Sequence, residues 1–265
     1  MLRDITIGQY YPTNSVIHRL DPRVKIVSTF IYIASLFIVK DFFAYSYILF
    51  FLGTTIFLSK VPFKYMLKGL KPLFLIIILT FSMNIFMTKG EIIYQLGPLD
   101  ITLEGIHQAV FMATRLILLI VGTSILTLTT SPIQLTDGIE KLLNPFKKIG
   151  VPAHELAMMM TIALRFIPTL LEETDKIMKA QMARGADFES GNILSRAKSL
   201  VPLLVPLFIS AFRRADELAM AMEARCYRGG ENRTRMRELM LHKRDFVTGI
   251  VTAILLIAVI LDRFI

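Results

Sequence analysis

The chain has 265 residues, of which 54% are hydrophobic and only 19% are charged, and its mean hydropathy is +0.58. This composition excludes an ordinary soluble domain or a fibrous protein, and several long apolar runs indicate a polytopic membrane protein. The formal net charge of +9 would suggest nucleic-acid binding in a soluble protein. In a membrane protein, lysine and arginine mark the cytoplasmic side and meet anionic lipid, so we predict no nucleic-acid partner.

Five apolar runs predict membrane-spanning helices. They cover residues 26–39, 42–58, 72–88, 106–130 and 246–262. Several have only about 16 or 17 residues, or about 25 Å of helix, so they cross a core of about 30 Å only with their flanks. The polar stretch before them lacks the pattern of a cleaved signal peptide and is expected to be retained. The sequence therefore predicts an all-α integral membrane protein with about five spanning helices and a cytoplasmic helical coupling domain.

Lysine and arginine in the short loops predict the orientation. The loop between the second and third runs holds four lysines and no acidic residue, which assigns it to the cytoplasm. Threading five spans from this loop places the N-terminus in the cytoplasm and the C-terminus outside. The predicted domains are a transmembrane region over 1–130 with four spans, a cytoplasmic coupling region over 131–245, and a last transmembrane helix over 246–265. The coupling region holds 18 of the 30 lysine and arginine residues.

Two further apolar stretches, 156–171 and 200–212, lie within the coupling region. Pro168 interrupts the first, and Pro202 and Pro206 interrupt the second. These prolines and the charged sequence that follows favour helices that lie on the membrane surface or dip into it. If both stretches cross, they cross as a pair, and the orientation of the termini is unchanged. The same prolines mark fixed bends that are candidate hinges.

Arg115 is a charged residue within the fourth apolar run. An ionisable side chain at membrane depth marks a functional site by default. The position of Arg115 near the start of the run favours a plainer interpretation. In that interpretation the side chain reaches the membrane interface or pairs with a carboxylate such as Glu104.

The coupling region is predicted to form three helices, and the last two end in the same way. Sliding the second helix onto the third by 41 residues aligns Ala183 and Arg184 with Ala224 and Arg225, in the last turn of each helix. A single arginine at such a place would simply complement the helix dipole and its free carbonyl groups. The repetition favours a docking role, because the planar arginine fork suits a carboxylate in a protein groove.

Two motifs at these helix ends resemble the paired motifs of a known family, the transmembrane T component of energy-coupling factor (ECF) transporters. The motifs are Ala183, Arg184, Gly185 and Ala224, Arg225, Cys226. The stretch 15–25, which reads Ser-Val-Ile-His-Arg-Leu-Asp-Pro-Arg-Val-Lys, is similar to that family's entry into its first span. The resemblance covers essentially the whole chain, including the order of spans and the cytoplasmic insert.

The resemblance implies a non-enzymatic scaffold in the plasma membrane of a prokaryote. Such a scaffold joins two ABC-type ATPase subunits to a substrate-binding membrane protein, the S component, for uptake of a vitamin or another micronutrient. The six motif residues would dock on the ATPases, which bind the ATP, so no cofactor is bound by this chain. Arg184 and Arg225 would make the docking contacts, and Cys226 is expected to be a small buried residue. The apolar faces near 156–166 and 200–212 would meet the S component.

A polytopic membrane enzyme with an active site at the cytoplasmic face is the alternative. It would need His, Asp, Glu or Ser side chains converging at one depth, and the sequence shows no such set, so we predict no catalytic residue. The four histidines lack metal-ligand spacing and the single cysteine forms no cluster, so we predict no metal site. No Walker A pattern is present, so the energy is expected to come from partner subunits.

Overall fold

The computed structural model describes residues 10–96, 99–186, 188, 192–229 and 238–264. These residues form nine α-helices, two 3-10 helices (Lys71–Leu73 and Asn144–Ile149) and one antiparallel β-hairpin. The α-helices are α1 (Pro22–Ile38), α2 (Ala44–Ser59), α3 (Phe63–Leu70), α4 (Phe74–Met87), α5 (Leu103–Thr129), α6 (Pro132–Leu143), α7 (Ala153–Ala183), α8 (Ile193–Ala224) and α9 (Lys243–Phe264), and the strands are β1 (Ile92–Leu96) and β2 (Leu99–Thr102). The all-α prediction is confirmed. The hairpin was not predicted.

Among the described residues, four helical stretches are long and apolar enough to cross a membrane. They are Phe63–Met87, Leu103–Thr129, Ala153–Ala183 and Lys243–Arg263. Helices α1 and α2, with 17 and 16 residues, are shorter, as their apolar runs predict. The count approximately matches the predicted five spans. Helix α7 qualifies by length and composition, so the surface location of 156–171 stays a prediction, as does the orientation of the termini.

The third predicted span begins nine residues before its apolar run, at Phe63. Pro72 lies in this stretch and has no backbone N–H, so the carbonyl of Lys68 has no partner four residues further on. The backbone tightens there into the 3-10 helix that joins α3 to α4. None of the most apolar part of Phe63–Met87 is buried, which fits a helix whose surface faces lipid.

The chain divides into two compact units. The first comprises the described residues from 10 to 138 and from 238 onward, and the second comprises those from 139 to 229. Helices α1, α2, α5 and α9 form the core of the first unit, where Leu36, Ile48 and Val259 are almost completely buried. The predicted domain boundaries at 130 and 245 concern the bilayer and stay a prediction.

A buried carboxylate joins the N-termini of α1 and α9. Asp245 is only 3% exposed, and its two oxygens accept the backbone N–H groups of Asp21 at 2.8 Å and His242 at 2.7 Å. Asp21 is the N-cap of α1, and its own side chain accepts the N–H of Arg23. Helix N-termini carry unpaired N–H groups and a partial positive charge, so a carboxylate between two of them is stabilising.

A buried lysine covers the C-terminus of α5. The ammonium group of Lys25 donates to the carbonyl of Thr129, the last residue of α5, at 2.9 Å and to that of His18 at 3.3 Å. The His18 ring donates from Nε2 to the carbonyl of Tyr11 and accepts at Nδ1 from the hydroxyl of Ser15. Burial lowers the pKa of His18, which favours this neutral ring. The stretch 15–25 therefore supplies side chains that cap helices.

Arg115 covers the C-terminus of α1 from the middle of α5. Its Nη2 donates to the carbonyl of Val39, the C-cap residue of α1, at 2.8 Å. The expected partner Glu104 instead accepts the N–H of Glu91 at 2.8 Å. Lys25 in α1 caps the C-terminus of α5, and Arg115 in α5 caps the C-terminus of α1. The two helices therefore run antiparallel.

Replacing Asp245 with Ala is expected to destabilise the protein by about 3 kcal/mol, because two buried N–H groups lose a charged acceptor. Chemical unfolding in detergent micelles measures this free energy. Asp262→Ala is the matched control, since Asp262 lies in the last turn of the same helix and is only half-buried. Equal stability of the two variants would contradict the capping role of Asp245.

Candidate functional site

The two predicted arginines occupy the same position at the ends of two long helices. Arg184 is the C-cap of α7 and Arg225 is the C-cap of α8, with φ, ψ angles of −89°, 7° and −92°, 12°. The residues that follow them are left-handed, with φ of 88° at Gly185 and 54° at Cys226. The 41-residue repeat in sequence is therefore also a repeat in backbone conformation. We call each C-cap arginine with its two neighbours a tip.

Backbone hydrogen bonds close both helices in the same pattern, a Schellman motif. In α7 the N–H groups of Ala186 and Gly185 donate to the carbonyls of Gln181 and Met182, and in α8 those of Tyr227 and Cys226 donate to the carbonyls of Met222 and Glu223, all at 2.9 to 3.0 Å. The two carbonyls that precede the last carbonyl of each helix are thus paired with backbone, and an arginine side chain is not needed to satisfy them.

Both guanidinium groups are available to a partner. Arg184 and Arg225 are exposed, as are their neighbours in both motifs. Within the described ranges, no side chain or carbonyl forms a hydrogen bond or an ion pair with either guanidinium. The interpretation of these arginines as simple helix caps therefore has no contact to support it. Cys226 is exposed, so the expectation that it is buried was wrong.

Contacts along α7 and α8 show that the two helices pack antiparallel. Arg214 of α8 donates to Glu173 of α7 at 3.0 Å. Further along α7, the side-chain amide of Gln181 donates to the carbonyl of Pro202, which lies earlier on α8, at 3.4 Å. Moving forward along one helix thus means moving backward along the other. The two tips consequently lie at opposite ends of the helix pair.

The three prolines named as hinges all lie inside helices, Pro168 in α7 and Pro202 and Pro206 in α8. Pro206 has no N–H, so the carbonyl of Pro202 lacks its usual partner four residues later. The Gln181 amide of α7 approaches this free carbonyl. The carbonyl that proline leaves free in α8 therefore accepts a hydrogen bond from α7. Whether the prolines act as hinges stays a prediction.

A polar cluster that the sequence did not reveal holds the tip of α8. His154, in the first turn of α7, contacts Glu140 of α6 through Nδ1 at 3.1 Å and the hydroxyl of Tyr227 through Nε2 at 3.2 Å. The Tyr227 hydroxyl also lies 3.1 Å from the sulfur of Met158. Tyr227 is the residue that closes the Schellman motif of Arg225. The equivalent residue at the tip of α7 is Ala186, whose side chain forms no hydrogen bond.

The family model described as cobalt transport protein, CbiQ, matches residues 13–236. The energy-coupling factor transporter transmembrane protein EcfT of Thermosediminibacter oceani is 66% identical over 264 residues, which cover 100% of both chains. Proteins of the same name from Clostridium kluyveri and Bacillus subtilis are 63% and 49% identical, and each match covers at least 98% of both chains. These relatives are named as membrane components of transporters, which points to a non-enzymatic role. The resemblance seen in the sequence is confirmed.

Glycine is expected to be the more stable residue at the left-handed position of both tips, so the two substitutions below should change stability in opposite directions. Cys226→Gly is expected to stabilise the protein by about 1 kcal/mol, because a left-handed backbone is strained for a residue with a Cβ. Gly185→Ala is expected to destabilise it by about the same amount. A Cβ at Gly185 would meet no atom within 4 Å, so the backbone alone is tested. Chemical unfolding in detergent measures both changes.

Gly53 in α2 provides the matched control for this pair. A Cβ at Gly53 also meets nothing within 4 Å, but this residue has ordinary helical geometry. Gly53→Ala should therefore stabilise the protein by about 1 kcal/mol. If Gly185→Ala behaves like Gly53→Ala, the left-handed cap at the α7 tip does not exist in solution.

Proposed function

The chain belongs to the cobalt transport protein (CbiQ) family, as a transmembrane component of energy-coupling factor transporters, and from this membership we propose that it couples two ABC-type ATPase subunits to a substrate-binding S component. ATP is bound and hydrolysed by the partner subunits. This chain carries their motion to the S component, which selects the vitamin or other micronutrient. The single observation that carries the proposal is the pair of matched, exposed arginine tips.

The spacing of the tips supports docking on two partners. Arg184 follows Glu173 by eleven residues, and Arg225 follows Arg214 by eleven residues as well. Glu173 and Arg214 pair with each other, so each tip lies about 16 Å of helix beyond the same contact, in opposite directions. This arrangement is close to a two-fold one. Two related grooves, one on each ATPase, match it better than a single site.

The residue types in the tips support the same function. A guanidinium forms two parallel hydrogen bonds with a carboxylate and is less strongly hydrated than an ammonium group. The small residues beside each arginine let the backbone of the helix end approach a groove wall closely. Because neither guanidinium forms a hydrogen bond within the described ranges, the whole donor set of each one can bind the partner.

An apolar face of α8 is suited to the S component. Val201, Val205, Phe208 and Phe212 follow one another at helical spacing, and each is between 52% and 69% exposed. Exposed apolar side chains in such a stripe are expected to contact lipid or another membrane protein. Methionines 158, 159, 160, 178, 182, 220 and 222 lie in the same helix pair. Methionine surfaces adapt to different partners, which would suit exchange of S components.

We further propose that α7 and α8 move as levers when ATP closes the paired ATPases. A change in the separation of the two grooves would act on Arg184 and Arg225, which lie at opposite ends of the helix pair. The bends at Pro168, Pro202 and Pro206 would set where each helix yields. The S component would then change its position in the membrane in response.

Replacing Arg184 and Arg225 together with Ala is expected to weaken assembly with the ATPases by more than about tenfold, since truncating one partner of a buried charge pair costs about 2 kcal/mol or more. Lysine at both positions should restore little, because it cannot form the bidentate pair. Copurification and ATP-driven uptake by the reconstituted complex measure both effects. Arg213→Ala is the control, because Arg213 is an exposed arginine of α8 away from the tip. Normal assembly and uptake in the double Ala variant would refute the docking assignment.

Locking α7 to α8 tests the lever hypothesis. Met158 and Tyr227 touch at one end of the helix pair, so cysteines at these positions can be joined by a short bifunctional maleimide in a Cys226→Gly background, which removes the single native cysteine. ATP-driven uptake should be lost while binding of the ATPases is kept. Each single-cysteine variant treated with the same reagent is the control. Unchanged uptake by the cross-linked complex would end the lever hypothesis.

A further inference from the structure

A long cleft opens on the first unit between α1, α2, α5 and α9, with a volume of about 620 Å³. Its wall is almost entirely apolar, and two cations, Lys243 and Arg244, lie at the end where α9 begins. We propose that this cleft binds an anionic phospholipid, with an acyl chain along the cleft and the phosphate at Lys243 and Arg244. This site is independent of the proposed contacts with ATPases and the S component.

The length of the cleft suits an acyl chain. Helix α9 lines it from Lys243 through Val251 to Ala258, which is about 22 Å of helix. One leaflet of a hydrocarbon core of about 30 Å is shorter than this. The cleft therefore holds one extended chain together with the glycerol region above it. Phe50 and Leu58 of α2 form the facing wall.

The threonine hydroxyl groups in the wall do not make the cleft polar. Thr29 donates to the carbonyl of Lys25, Thr55 to that of Phe51 and Thr248 to that of Arg244, each at 2.8 to 3.0 Å within its own helix. Threonine side chains whose hydroxyl groups are satisfied in this way present their methyl groups to the cleft and need no water. The wall is thus an apolar surface suited to hydrocarbon.

The charges at the mouth favour an anion. Lys243 and Arg244 are exposed, and in the part of the chain that the structure describes neither forms an ion pair. The adjacent carboxylate, Asp245, is buried and both of its oxygens accept backbone N–H groups. The buried ammonium of Lys25 lines the same cleft and adds to the positive potential.

The absence of tryptophan from the sequence makes the site directly observable. Phe50→Trp places the variant's single tryptophan on the cleft wall, where Phe50 is 80% exposed. Phe81→Trp places the comparison fluorophore midway along α4, outside the cleft, where Phe81 is 36% exposed. The full-length variants are reconstituted in phosphatidylcholine vesicles, and quenching is measured with brominated phosphatidylglycerol or brominated phosphatidylcholine.

At position 50 the relative association constant should favour brominated phosphatidylglycerol by about tenfold, since each cation near the surface contributes substantially to binding of an anionic lipid. At position 81 the two lipids should quench equally. Adding Lys243→Gln and Arg244→Gln, both at exposed positions, should abolish the preference at position 50. Equal quenching by both lipids at position 50 would overturn the proposal, as would a preference that survives the double Gln change. An equal preference for phosphatidylglycerol at position 81 would also overturn it, because it would mean general enrichment of anionic lipid around the protein.

Discussion

Helix ends are the main constraint on this chain, because each leaves backbone groups without a partner and a bilayer offers no water to replace one. In the first unit, charged side chains meet this need. Asp245 accepts N–H groups at the start of α1 and α9, Lys25 donates to the last carbonyl of α5, and Arg115 donates to the carbonyl beyond α1. Because each of these three side chains also reaches the end of another helix, the same contacts fix how these helices pack.

The C-terminal ends of α7 and α8 in the second unit meet the same constraint with backbone groups. Their Schellman motifs pair the two carbonyls before the last one without using any side chain. This difference bears on function, because an arginine at the positions of Arg184 and Arg225 can hydrogen-bond to the last carbonyl groups of its own helix. Here they are left exposed. The proposed docking role rests on these two guanidinium groups, which form no hydrogen bond or ion pair in the part of the chain that the structure describes.

The sequence predicted the features that depend on local pattern. Apolar runs located the helices, and the 41-residue repeat located two equivalent helix ends, because both signals lie within a few turns of chain. Long-range contacts were not predictable in this way. Arg115 pairs with a carbonyl 76 residues away, and Tyr227 meets His154 across 73 residues. The β-hairpin was missed because its strands, with five and four residues, lie in a loop of mixed charge.

The equivalence of the two tips ends one residue beyond the left-handed cap. At the α8 tip, Tyr227 closes the backbone motif and its hydroxyl reaches His154, which in turn contacts Glu140 of α6. At the α7 tip, Ala186 closes the same motif with a side chain that forms no hydrogen bond. Under the proposed function, force applied at Arg225 passes through side chains to α6 and α7. Force applied at Arg184 reaches α8 through the pairs near Gln181 and Glu173 instead. Two docking contacts of the same chemistry would therefore move different parts of the second unit. A subunit that turns symmetric closure of its partners into a directed movement requires this difference.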